Sequence, residues 1–197
     1  MNKPANPTLI LGSTSPYRRE LLSRLRVPFE VCAPQVDETP HAHESPRELA
    51  LRLALAKAKA VALLHPQAVV IGSDQVADLN GQALGKPGTH ERAVAQLTLM
   101  SGQTVIFQTA VAVVRADTEF ERVELAQVKV KFRALSPDDI EHYLRAEEPY
   151  DCAGSAKSEG LGIALLECID NDDPTALIGL PLIRTGRLIR EAGIALW

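Results

Sequence analysis

The sequence predicts an α/β fold with a partly antiparallel sheet flanked by helices, and three observations carry that expectation. A short apolar run, Leu9-Ile10-Leu11, turns through Gly12 and a Ser-Thr-Ser-Pro stretch into a helical pattern. A continuous β-branched run, Ala68-Val69-Val70-Ile71, has the character of a strand covered on both faces, as in the middle of an α/β sheet. Two long β-type segments, residues 104–115 and 119–133, then follow one another directly and form most simply an antiparallel pair of core strands.

Taken in order, the first strand is followed by Ser15, suited to an N-cap, and Pro16, suited to the first helical position because its missing N–H is no loss there. Tyr17, Leu21, Leu22 and Leu25 recur at helical spacing and give one apolar face. The free N–H groups at such a helix start attract an anion. Arg18 and Arg19 place two cations in the same turn, against the dipole, which points to phosphate binding. An ordinary turn with two solvated arginines is the other reading. Residues 29–32 alternate as a second strand, and residues 34–45 form an acidic loop carrying Asp37, Glu38, His41 and His43. The His-x-His pair has no further ligands at matching spacing, so a solvated loop is expected for both histidines.

Ser45-Pro46-Arg47-Glu48 is a capping box opening a helix to about Leu64, with Leu49, Leu53, Ala56, Ala60 and Leu63 as its expected buried stripe. Lys57 and Lys59, taken alone, read as solvated lysines. The buried strand at residues 68–71 leads to Gly72-Ser73-Asp74-Gln75. Such strands end at ligand crevices, and this end delivers Asp74 as either a cap or a functional acid. Residues 76–84 predict a hairpin turning at Asn80-Gly81, and Lys86 stands on a stiff loop between Gly85 and Pro87. Thr89 caps a helix ending near Ser101, with Gly102 at its C-terminus. Along residues 119–133, Val128, Val130 and Phe132 alternate with Lys129, Lys131 and Arg133; no aromatics interleave with the basic face, so it reads as solvated sheet and not as an RNA platform. Ser136 caps a helix ending near Arg145. Residues 151–162 are small and flexible, with Lys157 and Glu159 their only charges past Asp151. A last strand is expected at 163–169, and Gly179-Leu180-Pro181 opens the C-terminal helix.

At 197 residues, 46% apolar and 23% charged, the chain suits one soluble domain spanning residues 1–197. A net charge of −4 argues against a general nucleic-acid binder, so any polyanion site is a local pocket of cations. The scattered Cys32, Cys152 and Cys168 fit reduced thiols, not a disulfide frame or a zinc site. Residues 1–7 hold no secretory apolar segment, and no apolar run is long enough for a bilayer, which together predict a cytoplasmic protein.

Ser13, Arg18, Arg19, Lys57 and Lys86 as donors and cations, with Asp74 and Glu38 as acids, suit hydrolysis of a polyphosphate. Cations neutralise the phosphates while carboxylates hold a divalent ion and orient water. The chain has no G-x-x-x-x-G-K-[ST], no G-x-G-x-x-G opening a helix and no G-x-S-x-G, which excludes a P-loop NTPase, a Rossmann dinucleotide site and a nucleophile-elbow esterase.

The ordered blocks Ser13-x-Ser15-Pro16-x-Arg18-Arg19, Val36-Asp37-Glu38, Ala56-Lys57-Ala58, Gly72-Ser73-Asp74, Gly85-Lys86-Pro87, Ser101-Gly102, Ala153-Gly154 and Gly179-Leu180-Pro181 resemble the Maf family of nucleoside triphosphate pyrophosphatases over nearly the whole chain. The resemblance implies hydrolysis between the α and β phosphates with Mg²⁺ or Mn²⁺, two lobes around a deep cleft (a Maf/ITPase-like fold), and commonly a homodimer. It implies Asp74 as proton acceptor for water, Glu38 as assisting water or metal, with Asp74 and Glu38 as the metal-side carboxylates. It implies phosphate contacts from Ser13, Arg18, Arg19, Lys57 and Lys86. Tyr17, Gln75 and Glu159 stand where many members carry Arg, Thr and Gln, and this variant is similar to the subfamily acting on 7-methyl-GTP. A Tyr face attracts a flat cationic base by about 0.5–2 kcal/mol, and Glu159 can accept from the guanine edge; Tyr17 packing on Leu21 is the other reading. A dTTP/UTP or non-standard purine triphosphatase shares the chemistry, and the family's association with septum formation implies, as a different class, a nucleotide-binding regulator.

Overall fold

The N-terminal apolar run is β1 (Leu9–Gly12), buried along its whole length. In the computed structural model, which describes residues 7–197, it leads into α1 (Pro16–Ser23), capped by Ser15, whose Oγ accepts from the Arg18 N–H. The expectation of no secretory segment falls on residues 1–7, of which 1–6 lie outside the described residues. β2 (Glu30–Cys32) precedes α2 (Pro46–Leu64), and β3 (Val69–Leu79) turns at Asn80-Gly81 into β4 (Gln82–Leu84), both turn residues at positive φ. α3 (His90–Met100), β5 (Thr104–Arg115), β6 (Phe120–Phe132), α4 (Pro137–Glu147), β7 (Leu166–Asp170) and α5 (Leu182–Glu191) complete the chain. All three Ser-Pro helix starts form, Ser45 and Ser136 as full capping boxes.

The sheet runs β2-β1-β3-β5-β6-β7, with β4 on β3. β1 is parallel to β2 and β3, and the other pairings are antiparallel. β5 covers one edge of β3 from Val70 to Asp78. The other edge is shared: β1 holds it up to Gly72 and β4 from Ala77 onward. Residues 73–76 therefore have no strand on that side among the described residues, which leaves a notch in the sheet. This corrects the expectation that Asp74 lies past a strand end. The apolar run stops at Ile71, but pairing with β5 carries the strand on, so Asp74 sits in its middle; it is β1 that ends here.

α2 covers one face of the sheet, packing on Ile10, Val70, Val76, Ala110 and Ala112, while α1 and α5 cover the other over Leu11, Ile71, Val111 and Val113. The far halves of β5 and β6 form a second lobe with α3 and α4 around Phe107, Phe132, Leu97 and Leu144. The cleft lies between the lobes, at the notch. Burying α2 depends on Gly72, where a Cβ would stand 2.2 Å from the Ala54 carbonyl oxygen and 2.5 Å from the Ala58 nitrogen. That close approach sets the rotation of α2. Its buried positions are Pro46, Leu49, Ala50, Leu53, Ala54, Lys57, Ala58, Val61 and Ala62, whereas Ala56 and Ala60 are only half-buried and Leu63 is 80% exposed. The expected stripe thus holds at its first two leucines and then turns toward the small residues, because contact with Gly72 favours alanine over bulk. The strand expected at 163–169 begins only at Leu166, after a 3₁₀ turn at Leu161–Leu165. No helix among the described residues is long and apolar enough to cross a membrane.

Candidate active site

The notch opens into a cleft of about 670 Å³ with Asp74 on its floor. The strand pleat turns Asp74 toward α2, where Lys57 meets it: Nζ donates to Oδ1 at 2.7 Å. The same ammonium pairs with Glu38 Oε1 at 2.8 Å. Lys57 is thus no solvated lysine; it is buried at 5% exposure, bridging two carboxylates. Removing one partner of such a pair costs about 3–5 kcal/mol, because the other charge is left buried. Burial pushes the Asp74 carboxyl above the usual range, against the pull of Lys57 and Arg18, and the charge of Glu38 adds to the rise.

Arg18 lies in the first turn of α1 and lines the cleft. Its Nε donates to the Gly179 carbonyl at 2.9 Å, and Nη1 lies 3.5 Å from Ser13 Oγ. Burial lowers its pKa, and the charges of Asp74 and Glu38 restore part of it. Ser13 is buried, its Oγ accepting from the Ser15 N–H at 3.1 Å, which holds the turn where β1 gives way to α1. Lys86 lines the same cleft from the opposite lobe and is exposed. Arg19 does not join them. One residue on, it points to another side of α1 and lines a separate groove with Glu20, Ser23 and Phe29.

At the far end of the cleft, Tyr17 faces Cys152 and Glu159, not the hydrophobic core. The Lys157 ammonium is 6.0 Å from the Tyr17 ring centre. Burial raises the Tyr17 hydroxyl and the Glu159 carboxyl and pushes the Cys152 thiol up to about 12, so that thiol is an inert one. Gln75 lines the cleft, yet its amide nitrogen serves the protein, donating to Thr109 Oγ1 at 3.0 Å, Ala176 O at 3.0 Å and Leu177 O at 2.9 Å. Only its Oε1 is left for a ligand.

Several residues that shape the site carry no signal in the sequence. Arg52 on α2 grips Glu44 through two nitrogens, at 2.6 and 2.8 Å, and donates to the Thr39 carbonyl at 3.0 Å, so it holds the loop that carries Glu38. Asp173, fully buried, accepts from the Ile183 and Arg184 N–H groups and caps α5 from ten residues away. The turn it fixes presents the Gly179 carbonyl to both Arg18 Nε and Ser73 Oγ. His41 and His43 are exposed, as expected of a solvated loop. The three cysteines are free thiols. A larger groove of about 950 Å³ at the other end of β1, among Thr8, His65 and Arg115, holds none of the expected site residues.

Among the described residues no group of three or more His, Cys, Asp or Glu could hold a metal ion alone. Asp74 and Glu38 each spend one oxygen on Lys57, and the second oxygen of each is left. Two carboxylates completed by substrate oxygens and water are the usual setting for Mg²⁺, so the donor set fits an ion that arrives with a polyphosphate.

A family model described as Maf-like protein matches residues 8–192. A protein of Polaromonas sp. named 7-methyl-GTP pyrophosphatase is 72% identical over 98% of this chain and 89% of its own length. One of the same name from Albidiferax ferrireducens is 70% identical over 98% of both. Among solved structures, the Staphylococcus aureus Ham1 protein overlays 64% of this chain and 71% of its own at a TM-score of 0.47 and 16% identity. With nearly the whole chain matched and relatives this similar along their full length, the protein belongs to the Maf family.

Proposed function

We propose that the protein hydrolyses 7-methyl-GTP to 7-methyl-GMP and diphosphate. The observation that carries the reading is the Asp74–Lys57–Glu38 chain on the floor of a cleft with Arg18 and Lys86 at its sides and Tyr17 and Glu159 at its far end. Asp74 is the general base. It takes a proton from water as the water oxygen attacks the α-phosphorus, and the bond from that phosphorus to the bridging oxygen breaks, diphosphate leaving with the electron pair. A carboxyl raised by burial is a stronger base than an exposed aspartate. Lys57 holds Asp74 in place and balances the charge of the carboxylate pair, while Arg18, Ser13 and Lys86 receive the phosphates. Arg19 borders the site from outside the cleft. Asp74 and Glu38 would hold the Mg²⁺ or Mn²⁺ that comes with the substrate, an ion that supplies charge neutralisation on the phosphates when bound.

At the other end, the Tyr17 face meets the cationic base, and Glu159 and the Gln75 Oε1 accept from its N–H edge. In this reading the chain acts as one unit, a homodimer in the cytoplasm. Product analysis of 7-methyl-GTP, GTP, dTTP and UTP with Mg²⁺ or Mn²⁺ tests it. The expected outcome is monophosphate and diphosphate in equal amounts, the highest kcat/KM for 7-methyl-GTP, and loss of turnover in Asp74→Asn. A preference for unmodified pyrimidine triphosphates overturns the substrate. Binding without release of diphosphate overturns the enzyme reading and leaves a nucleotide sensor.

A further inference from the structure

Glu147 closes α4 at the helix end where the dipole disfavours an anion, yet its side chain is only 15% exposed. Its Oε1 accepts from Lys157 Nζ at 2.7 Å, and its Oε2 accepts from the Leu161 backbone N–H at 2.7 Å. One turn earlier on α4, the Tyr143 hydroxyl accepts from the Lys157 backbone N–H at 3.0 Å. Gly160 lies against the same carboxylate, where a Cβ would stand 2.6 Å from Oε2. The turn at 157–161 is therefore wrapped around one carboxylate, with Glu159 at its tip.

What this clamp restrains is a cation. The Lys157 ammonium is already 6.0 Å from the Tyr17 ring centre and belongs to the same short turn as Glu159, yet it forms no ion pair with Glu159. Its ion pair is with Glu147. Without that partner, a long flexible ammonium side chain is free to pair with the Glu159 carboxylate two residues on. Glu159 would then be neutralised, and a positively charged base would lose its counter-charge.

We propose that Glu147 is a positioning residue for base selectivity: it ties Lys157 down so that the Glu159 carboxylate stays available to a positively charged base. The proposal rests on the 7-methyl-GTP reading and deepens it. It is tested by comparing 7-methyl-GTP with GTP in the wild type, in Glu147→Gln and in the double variant Glu147→Gln/Lys157→Met, with thermal unfolding recorded for each. In Glu147→Gln the ratio of the two kcat/KM values falls by about tenfold, the worth of one charge-assisted contact, chiefly through a higher KM for the methylated substrate. Turnover of GTP falls less, because GTP shares the N–H edge but not the positive charge of the methylated base, and removing the freed lysine in the double variant restores the ratio. A purely structural role lowers both substrates together and is not rescued by losing Lys157; that result, or an unchanged ratio, overturns the proposal. Should Glu147→Gln fail to fold, Glu147→Asp, which keeps the charge but draws it back from Lys157, takes its place with the same outcomes and the same Lys157→Met rescue. A wild type with no preference for the methylated base sinks the reading itself, whereas a preference that survives Glu147→Gln sinks only the clamp.

Discussion

Lys57 shares one ammonium between Asp74 and Glu38, with a side chain 6% exposed. In Lys57→Met the apolar stem remains and the charge goes, so Asp74, already raised by burial, rises further. A base must be ionised to act, and the rate is lost as pH falls through its pKa. The acid limb of the pH profile of kcat/KM is therefore expected to move to higher pH in this variant, with a plateau lower by about 100-fold or more. A limb that stays put would mean that the group titrating there is not Asp74. The carboxylate and the cleft-lining Arg18 and Lys86 were legible from residue type and local context. Lys57 was legible as one of the candidate cations, but its burial was not: taken alone it looks solvated, and only the packing of α2 on Gly72 shows that it points inward. Arg19, next to Arg18 in sequence, lines a separate groove with Glu20, Ser23 and Phe29, which residue type alone does not show. Gln75 was legible as a cleft residue, but its three carbonyl and hydroxyl acceptors come from distant segments that no local pattern joins.

For the secondary-structure elements, the contact between α2 and β3 carries the arrangement. Gly72→Ala places a methyl against the backbone of α2, at Ala54 and Ala58, with no flexible side chain to yield. A loss of about 3 kcal/mol or more is expected in urea unfolding, with the helix displaced and activity falling as Lys57 leaves Asp74. Ser45→Ala removes a capping box at the exposed start of the same helix and costs about 1 kcal/mol, with no change in kcat. Helix starts were the most legible feature, since Ser-Pro with an acid at N3 is a local chemical signal. Strand ends were the least legible. β3 outlasts its apolar run because its later residues pair with β5, and β7 starts late because 161–165 tighten into a 3₁₀ turn.

Over the whole molecule, several paired carboxylates are stabilised in their ionised form. Hydrogen bonds from Arg52 hold Glu44 at about 2, and partners likewise lower Asp139, Glu147 and Asp172, through Arg133, Lys157 and Arg184 respectively. A carboxyl lowered on folding contributes stability that is complete above its unfolded value and fades as pH falls through the folded one. The melting temperature is expected to be level near neutrality and to decline from about pH 4.5 toward 2. A decline that begins well above pH 5 would mean that these carboxylates are not its source. The two-lobed architecture was legible only through family resemblance, since no stretch of sequence announces that β5 and β6 run through both lobes.

The interrupted edge of β3 has a consequence for how such a protein can change. An unpaired strand edge is ordinarily a hazard, open to any passing chain. Here it is walled in by turns from both lobes and faces only what fits between them. The walls are loops and the start of a helix and the floor is a sheet, so the pieces that choose a guest can be rewritten while the ledge that receives it stays as it is.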